Sequence, residues 1–158
     1  MLFYALGFRV NTTPSYPQGL YRLDSTKIED VERGQLVLFC PSDDVAKLGM
    51  ERGYIGSGPC PSGGRPLAKA VVGVPGDEIR IDGRVWVNGI LQQNSVVRTV
   101  DSAQRPMPKL TSGLVIADDE LFVMSDYIEN SFDSRYFGPV RAKTVRGRLH
   151  PIWTVGGT

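Results

Sequence analysis

The sequence has few of the residues from which metal centres and hydrolytic triads are built. Its 158 residues include one histidine, His150, and two cysteines, Cys40 and Cys60. These three residues do not form a ligand set with recognisable spacing, so we expect no metal ion and no other cofactor. His150 has no nucleophile elbow and no triad spacing around it, which favours a structural histidine.

Neither charge nor hydrophobic runs dominate the chain. A formal net charge of +1 without a basic run argues against nucleic acid as a partner. Hydrophobic content of 41% with 22% charged residues is typical of a globular protein. The apolar opening MLFYALGF is far shorter than the roughly 20 residues that cross a bilayer. It is either the stub of a membrane anchor or a buried first strand.

Alternating and β-branched segments predict a mostly β chain. Asp-Gly and Asn-Gly within residues 77–93 predict a three-stranded meander, because these dipeptides favour hairpin turns. We expect an antiparallel β-barrel or folded sheet of about eight or more short strands. Residues 99–113 predict an exposed connection. The strand patterns are GLYRL, QLVLF, AKAVVGV, DEIRIDGRVWVNGILQQ, GLVIA, ELFVM, GPVRA and TVRGRLHPIW.

The one helix that the sequence predicts lies between the two cysteines. SDDVAKLGMERG has Ser42 at the N-cap, acidic residues in the first turn and Gly53 as the stop. In an exported protein Cys40 and Cys60 would suit a disulfide, whereas in the cytosol both would be buried thiols, and the residues leave the two alternatives open. We expect residues 1–158 to form one domain in which 40–60 is an inserted, helix-bearing loop.

The segment NTTPSYPQGLYRL, residues 11–23, places Ser15 between Pro14 and Pro17. Proline fixes φ and has no N–H, so the two prolines hold Ser15 in an extended or turn conformation and leave its own N–H free. The segment is either a proline-rich loop that leads into a first strand or the site of a reactive serine.

A reactive serine needs a base, and the candidate is Lys69. In PLAKAVVGVPGDEI it is the lysine flanked on both sides by small and apolar residues of a predicted strand. Apolar surroundings lower the pKa of a lysine, and the neutral amine can accept a serine proton. The alternative is an edge strand that carries Lys69 outward as a charge against aggregation.

A third segment, SDYIENSFDSRYFGPV, completes a pattern that resembles the signal peptidase I family of membrane-associated endopeptidases with a serine–lysine dyad. KAVVGVPGDEI resembles the family's lysine box, and NSFDSRYFGPV its Asn-Ser-x-Asp-Ser-Arg box. ERGQLVLF, RVWVNG and DELFVMSD extend the similarity over most of the chain. The resemblance implies the folded antiparallel sheets of that family.

The resemblance also implies roles, residue by residue. Ser15 is the expected nucleophile and Lys69 the general base. Thr13 matches a position whose hydroxyl forms the oxyanion hole together with a backbone N–H. That N–H must be the one of Ser15, because Pro14 has none. Ser131 matches the residue that hydrogen-bonds the lysine amine. Asp133 and Arg135 match a supporting ion pair, which could equally be structural.

Two positions depart from the housekeeping enzymes, and the first of them, at Ser15, resembles the TraF-type branch, which matures a pilin for plasmid conjugation by cleavage and, in some members, by cyclisation. Ser-Tyr-Pro-Gln replaces Ser-Met-x-Pro at Ser15, and Ser125 replaces a glycine, where we expect the larger side chain to narrow the pocket.

The branch implies an exported enzyme at the periplasmic face of the inner membrane, with Cys40 joined to Cys60. Its implied partners are the membrane surface and a pilin precursor, or another signal-peptide-bearing substrate, bound as an extended strand. The alternatives are a general signal peptidase and a catalytically silent β-barrel that only binds an exported subunit.

Overall fold

The computed structural model of the protein describes residues 6–25 and 30–155. These residues contain two α-helices, α1 (Asp43–Glu51) and α2 (Ser134–Phe137), and a 3-10 turn at Ala142–Thr144. Their strands are β1 (Phe8–Asn11), β2 (Gly19–Asp24), β3 (Leu36–Phe39), β4 (Leu67–Gly73), β5 (Glu78–Ile81), β6 (Val85–Val87), β7 (Ile90–Leu91), β8 (Leu114–Val115), β9 (Glu120–Met124), β10 (Val140–Arg141) and β11 (Val145–Thr154).

The strands form two antiparallel sheets. The larger has the order β1-β2-β11-β3-β4-β9-β10, and the smaller has the order β7-β6-β5-β8. The mostly β, antiparallel architecture predicted from the strand patterns is confirmed. The short helix α2 was not predicted, because four residues carry too little periodicity to indicate a helix.

Strand β4 contributes to the packing of both faces of the larger sheet. Val71 belongs to a core cluster with Val37, Phe39 and Val123. The next residue, Val72, belongs to a second cluster that contains side chains of both sheets, among them Ile79 of β5. Successive strand residues point to opposite faces, so β4 is covered on both sides and has neighbours along both edges. The side chains from Lys69 to the end of β4 are therefore withdrawn from water.

The predicted meander is present as β5, β6 and β7. Asn88 and Gly89 have φ values of 50° and 78°, which is the left-handed pair that a two-residue hairpin turn requires. Asn88 also donates from its side chain to Asp77, at 2.8 Å.

Asp77, in the Pro-Gly-Asp part of the lysine segment, connects three separate parts of the chain. Its carboxylate accepts hydrogen bonds from the Arg33 guanidinium, the Asn88 amide and the Val74 N–H. The carboxylate is 6% exposed, so these partners replace most of its hydration. Asp77 thereby holds the turn after β4 against the segment before β3 and against the β6–β7 hairpin.

Helix α1 lies in a loop closed by the Cys40–Cys60 disulfide, as expected for an exported protein. Ser42 is at the N-cap, although its hydroxyl makes no capping bond, and Gly53 follows the helix with φ of 75°. The 40–60 loop contacts the 99–113 connection, because Arg52 donates to the Pro106 carbonyl at 2.8 Å. The connection is mostly exposed, as predicted, but it is anchored.

Most of the apolar opening, residues 1–5, lies outside the described residues. Leu6 and Gly7 form a turn, and β1 begins at Phe8. In residues 6–25 and 30–155, no helix has the length and hydrophobicity needed to cross a membrane.

Candidate active site

Ser15 and Lys69 line one cavity of about 620 Å³, a size typical of ligand sites. Its walls also include Thr13 and Ser131. Most of the lining residues come from segments that are distant in sequence, within 9–15, 54–59, 65–69, 98–107 and 128–136. The fold thus brings the predicted nucleophile, base and oxyanion-hole residue to one place.

Ser15 lies in the loop of residues 12–18, which joins β1 to β2 and is called here the nucleophile loop. Asn11 organises this loop: its Oδ1 accepts from the N–H and the hydroxyl of Thr13, at 3.0 and 2.7 Å. Its Nδ2 donates to the carbonyls of Tyr16 and Pro17, at 3.0 and 3.1 Å. One amide side chain therefore satisfies the backbone of both halves of the loop. Sequence analysis did not identify Asn11.

The hydroxyl groups of Thr13 and Ser15 lie 3.3 Å apart. Among the described residues the Ser15 N–H makes no hydrogen bond. The two donors expected to form the oxyanion hole are this N–H and the Thr13 hydroxyl, and both lie beside the Ser15 hydroxyl. The Thr13 hydroxyl donates to Asn11 and must rotate before it can donate to a substrate oxyanion.

Lys69 lies in the middle of the larger sheet, paired with Val37 of β3. It is 4% exposed, which rules out the outward-facing edge position considered from the sequence. Burial lowers its pKa from 10.5 to about 8, whereas the Asp133 carboxylate raises the pKa and Arg135 lowers it further. A large fraction of Lys69 is therefore a neutral amine at mildly alkaline pH. No direct hydrogen bond joins Lys69 to Ser15 in this structure.

Asp133 and Arg135 form an ion pair with no solvent exposure. Two parallel bonds of 2.8 Å join the guanidinium to the carboxylate. The remaining Arg135 donors reach the carbonyls of Asn94, Val96 and Ser131. Burial opposes the guanidinium charge, but the bonds to Asp133 outweigh it and raise the pKa of Arg135. The pair fixes the segment that follows β9.

Ser131 is buried beside the cavity, and its hydroxyl has no hydrogen-bond partner among the described residues. The expected bond to the Lys69 amine is thus not formed in this structure. A buried hydroxyl without a partner is costly, so an amine or a bound substrate group would find a ready partner in Ser131.

Ser125 is fully buried, and its hydroxyl donates to the carbonyl oxygen of Ser15 at 2.8 Å. The expectation that Ser125 narrows the pocket is wrong, because this side chain does not line the cavity. The sequence showed only that Ser125 stands where the housekeeping enzymes have glycine, and it gave no indication of where the Ser125 side chain points.

His150 is apart from Ser15 and Lys69. It lies on β11, is half exposed and is 3.3 Å from the Asp24 carboxylate. It borders a different, smaller depression and not the cavity that contains Lys69.

The model of a protein family described as signal peptidase, peptidase S26, matches residues 2–154 of this chain. A plasmid transfer protein TraF of Escherichia coli is 41% identical over 157 residues, which cover 96% of this chain and 85% of the relative. A conjugal transfer protein TraF of Agrobacterium fabrum is 36% identical over 94% of this chain and 83% of its own length.

A probable signal peptidase I-2 of Synechocystis is 30% identical and covers 78% of this chain and 49% of its own length. Among solved structures, a signal peptidase I from Enterococcus faecalis aligns with a TM-score of 0.45 at 24% identity, over 77% of this chain and 97% of that structure.

Proposed function

The chain belongs to the signal peptidase family, peptidase S26, and we propose that it is a serine endopeptidase in which Ser15 is the nucleophile and Lys69 the general base. The observation that carries the proposal is the shared cavity: a hydroxyl on a braced loop and a buried amine of lowered pKa face the same space. A neutral lysine is the base that such a serine requires.

The proposed reaction proceeds in two steps. The Ser15 Oγ attacks the substrate carbonyl carbon while its proton passes to the Lys69 amine, and the Thr13 hydroxyl and the Ser15 N–H stabilise the resulting oxyanion. The intermediate then expels the amine of the cleaved peptide, which takes the proton from Lys69, and an acyl-Ser15 ester remains. Water, deprotonated by Lys69, hydrolyses the ester and restores the free Ser15 hydroxyl.

An extended peptide fits the shape of the site. The cavity is lined by residues 9–11 of the edge strand β1 and by residues 65–68, which include the start of β4. An edge strand at the cavity wall supports binding of a substrate as an added strand.

The proposed substrate is an exported pilin precursor of plasmid conjugation. Support comes from the relatives named as plasmid or conjugal transfer proteins, each matched over more than four fifths of its length. The cavity wall gives a second reason. Tyr54 of the 40–60 loop donates to Asp101 and packs against Phe132 with ring centroids 5.0 Å apart, so this loop adds a further wall to the cavity that contains Lys69. A restricted cleft favours one dedicated substrate over many.

A membrane surface is the proposed setting. Val10 and Trp153 both pair with Leu20, from either side of β2, and they are 72% and 64% exposed. Ile152 and Val155 extend this exposed apolar surface at the sheet end that carries the nucleophile loop. Contiguous exposed apolar groups are characteristic of interaction with membranes or partners. We place this end against the periplasmic face of the inner membrane.

The test is mass spectrometry of a pilin precursor and of a panel of Ala-x-Ala signal peptides after incubation with the enzyme. We expect one cut in the pilin precursor, little cleavage of the panel, and no product with Ser15→Ala or Lys69→Ala. Broad cleavage of the panel would support a general signal peptidase. Normal turnover by the Ser15→Ala variant would refute the mechanism.

A further inference from the structure

We propose that Ser125 is a positioning residue that sets the place of Ser15 relative to Lys69. The inference rests on the proposed function, since it concerns how the proposed nucleophile is held. It assigns to the Ser125 hydroxyl a role that a glycine at this position cannot perform.

Ser125 is bonded on three sides. Its hydroxyl donates to the Ser15 carbonyl at 2.8 Å and accepts from the Ile128 N–H at 3.1 Å. Its own N–H donates to the Asp133 carboxylate at 3.1 Å. The residue has no solvent exposure, so water cannot replace a partner that is lost. Ser125 thus joins the buried Asp133–Arg135 pair to the main chain of the nucleophile.

The same strand holds the base. Ser125 follows directly after β9, and β9 pairs with β4 so that Met124 lies opposite Ala70, the residue after Lys69. Lys69 and the Ser15 carbonyl are therefore both connected to the end of β9. Lys69 is connected to it through the sheet, and the Ser15 carbonyl through the Ser125 hydroxyl. Small displacements of a nucleophile from its base cost much of the rate, so this connection bears on catalysis.

The nucleophile loop has a second contact with the same segment. The Tyr16 hydroxyl donates to Asp126 at 2.7 Å, and the Tyr16 ring lies 6.4 Å from that of Tyr127. Asn11 braces the loop from β1 alone. Because Asn11 belongs to the same hairpin as Ser15, it shapes the loop but does not place it against Lys69. The contacts of Ser125 and Tyr16 provide that placement.

Ser125→Ala removes the hydroxyl and keeps the backbone bond to Asp133. We expect kcat to fall about tenfold with KM nearly unchanged, because the loop loses one of the two contacts that place it but the cleft walls remain. The midpoint of the pH–rate profile should stay near the wild-type value, since Ser125 is not among the groups that shift the pKa of Lys69. Ser125→Cys keeps the approximate volume and a weak donor, so its kcat should lie between the two.

The matched control is Ser95→Ala. Ser95 is also fully buried, and its hydroxyl also accepts from a backbone N–H, of Val85, and donates to a carbonyl, of Gln92. It does not line the cavity. Ser95→Ala should therefore lose stability comparably to Ser125→Ala while keeping the wild-type kcat.

The assays are cleavage of a fluorogenic peptide with alanine before the cut bond, acylation of Ser15 by a penem probe followed by mass spectrometry, and thermal melting. Parallel losses of kcat and labelling rate in Ser125→Ala, absent from Ser95→Ala and partly restored in Ser125→Cys, would support the inference. Equal kcat in the two alanine variants would overturn it. If Ser125→Ala does not fold, Ser125→Cys decides: wild-type kcat and labelling in that variant overturn the inference.

Failure of the proposed function gives a different result. In that case the wild-type protein is not labelled at Ser15, and its cleavage of the peptide is either absent or unaffected by Ser15→Ala. Labelling of Ser15 in the wild type together with an unaffected Ser125→Ala variant refutes the positioning role alone.

Discussion

Replacing Lys69 with methionine should abolish cleavage and make the protein more stable. Lys69 is 4% exposed, and its folded-state pKa is about 8 against an ordinary value of 10.5. At about 1.4 kcal/mol per pH unit, the difference corresponds to roughly 3 kcal/mol of unfavourable free energy for the charged amine in the folded state. Methionine has a similar length and no charge, so it removes this cost while filling the same space.

The gain should depend on pH in a definite direction. Because the folded-state pKa of Lys69 is lower than the unfolded-state value, the folded protein binds fewer protons between about pH 8 and pH 10.5. The stability of the wild type therefore rises with pH through this window, and the cost of Lys69 is fully present below it. The advantage of Lys69→Met should be roughly 3 kcal/mol near pH 7 and should vanish above about pH 10.5.

Urea unfolding and thermal melting of the wild type and the variant near pH 7 and near pH 10.5 measure this difference in stability. Near pH 7 the melting temperature of the variant should rise by about 6–12 °C, since 1 kcal/mol corresponds to about 2–4 °C at this chain length. Lys47→Met is the matched control, because Lys47 is exposed on α1 and should give no pH-dependent gain. A Lys69→Met variant no more stable than the wild type near pH 7, or equally stabilised at both pH values, would refute the reasoning.

Three further predictions concern the site and the 40–60 loop. Thr13→Val should lower turnover by roughly 10²–10³ with little change in KM, whereas Thr13→Ser should retain most activity, and steady-state kinetics of both variants checks this. The cleavage rate of the wild type should rise with pH through about 8 as Lys69 becomes neutral. The pH–rate profile of His150→Ala should match that of the wild type. Replacing Cys40 and Cys60 with serine should cost about 3 kcal/mol in urea unfolding, by the loop-entropy relation. An unchanged midpoint would show that the disulfide contributes little.

The strand order of the chain could be predicted only in part. The Asn88-Gly89 turn and the alternation around it specify the meander, because local chemistry determines a two-residue hairpin. The position of β11 between β2 and β3 could not be predicted, since it joins residues that are far apart in sequence. Gly19 illustrates why contacts between distant residues could not be predicted from the sequence. A Cβ there would clash with the Trp153 carbonyl oxygen, a constraint that appears only when β11 is in place.

The proposed nucleophile and base could be predicted from the sequence because their residue types, together with the family motifs around them, indicate the chemistry. Ser15 and Lys69 stand out by the prolines and the apolar neighbours around them. The supporting contacts were not accessible, because an asparagine such as Asn11 or a serine such as Ser125 is common in turns and is read as a loop former. Only the three-dimensional structure shows that Asn11 hydrogen-bonds the loop backbone and that Ser125 hydrogen-bonds Ser15.

The motif segments that carry the family resemblance serve two separate purposes. KAVVGVPGDEI contains both Lys69, in the cavity, and Asp77, whose partners are Arg33 of ERGQLVLF and Asn88 of RVWVNG. Neither Asp77 nor these two partners line the cavity. A carboxylate with three partners and little exposure is sufficiently explained by stability, because leaving any partner unpaired costs free energy. Similarity in those segments therefore supports the fold, whereas the inference of chemistry depends on Ser15 and Lys69 and on the loop that brings them together.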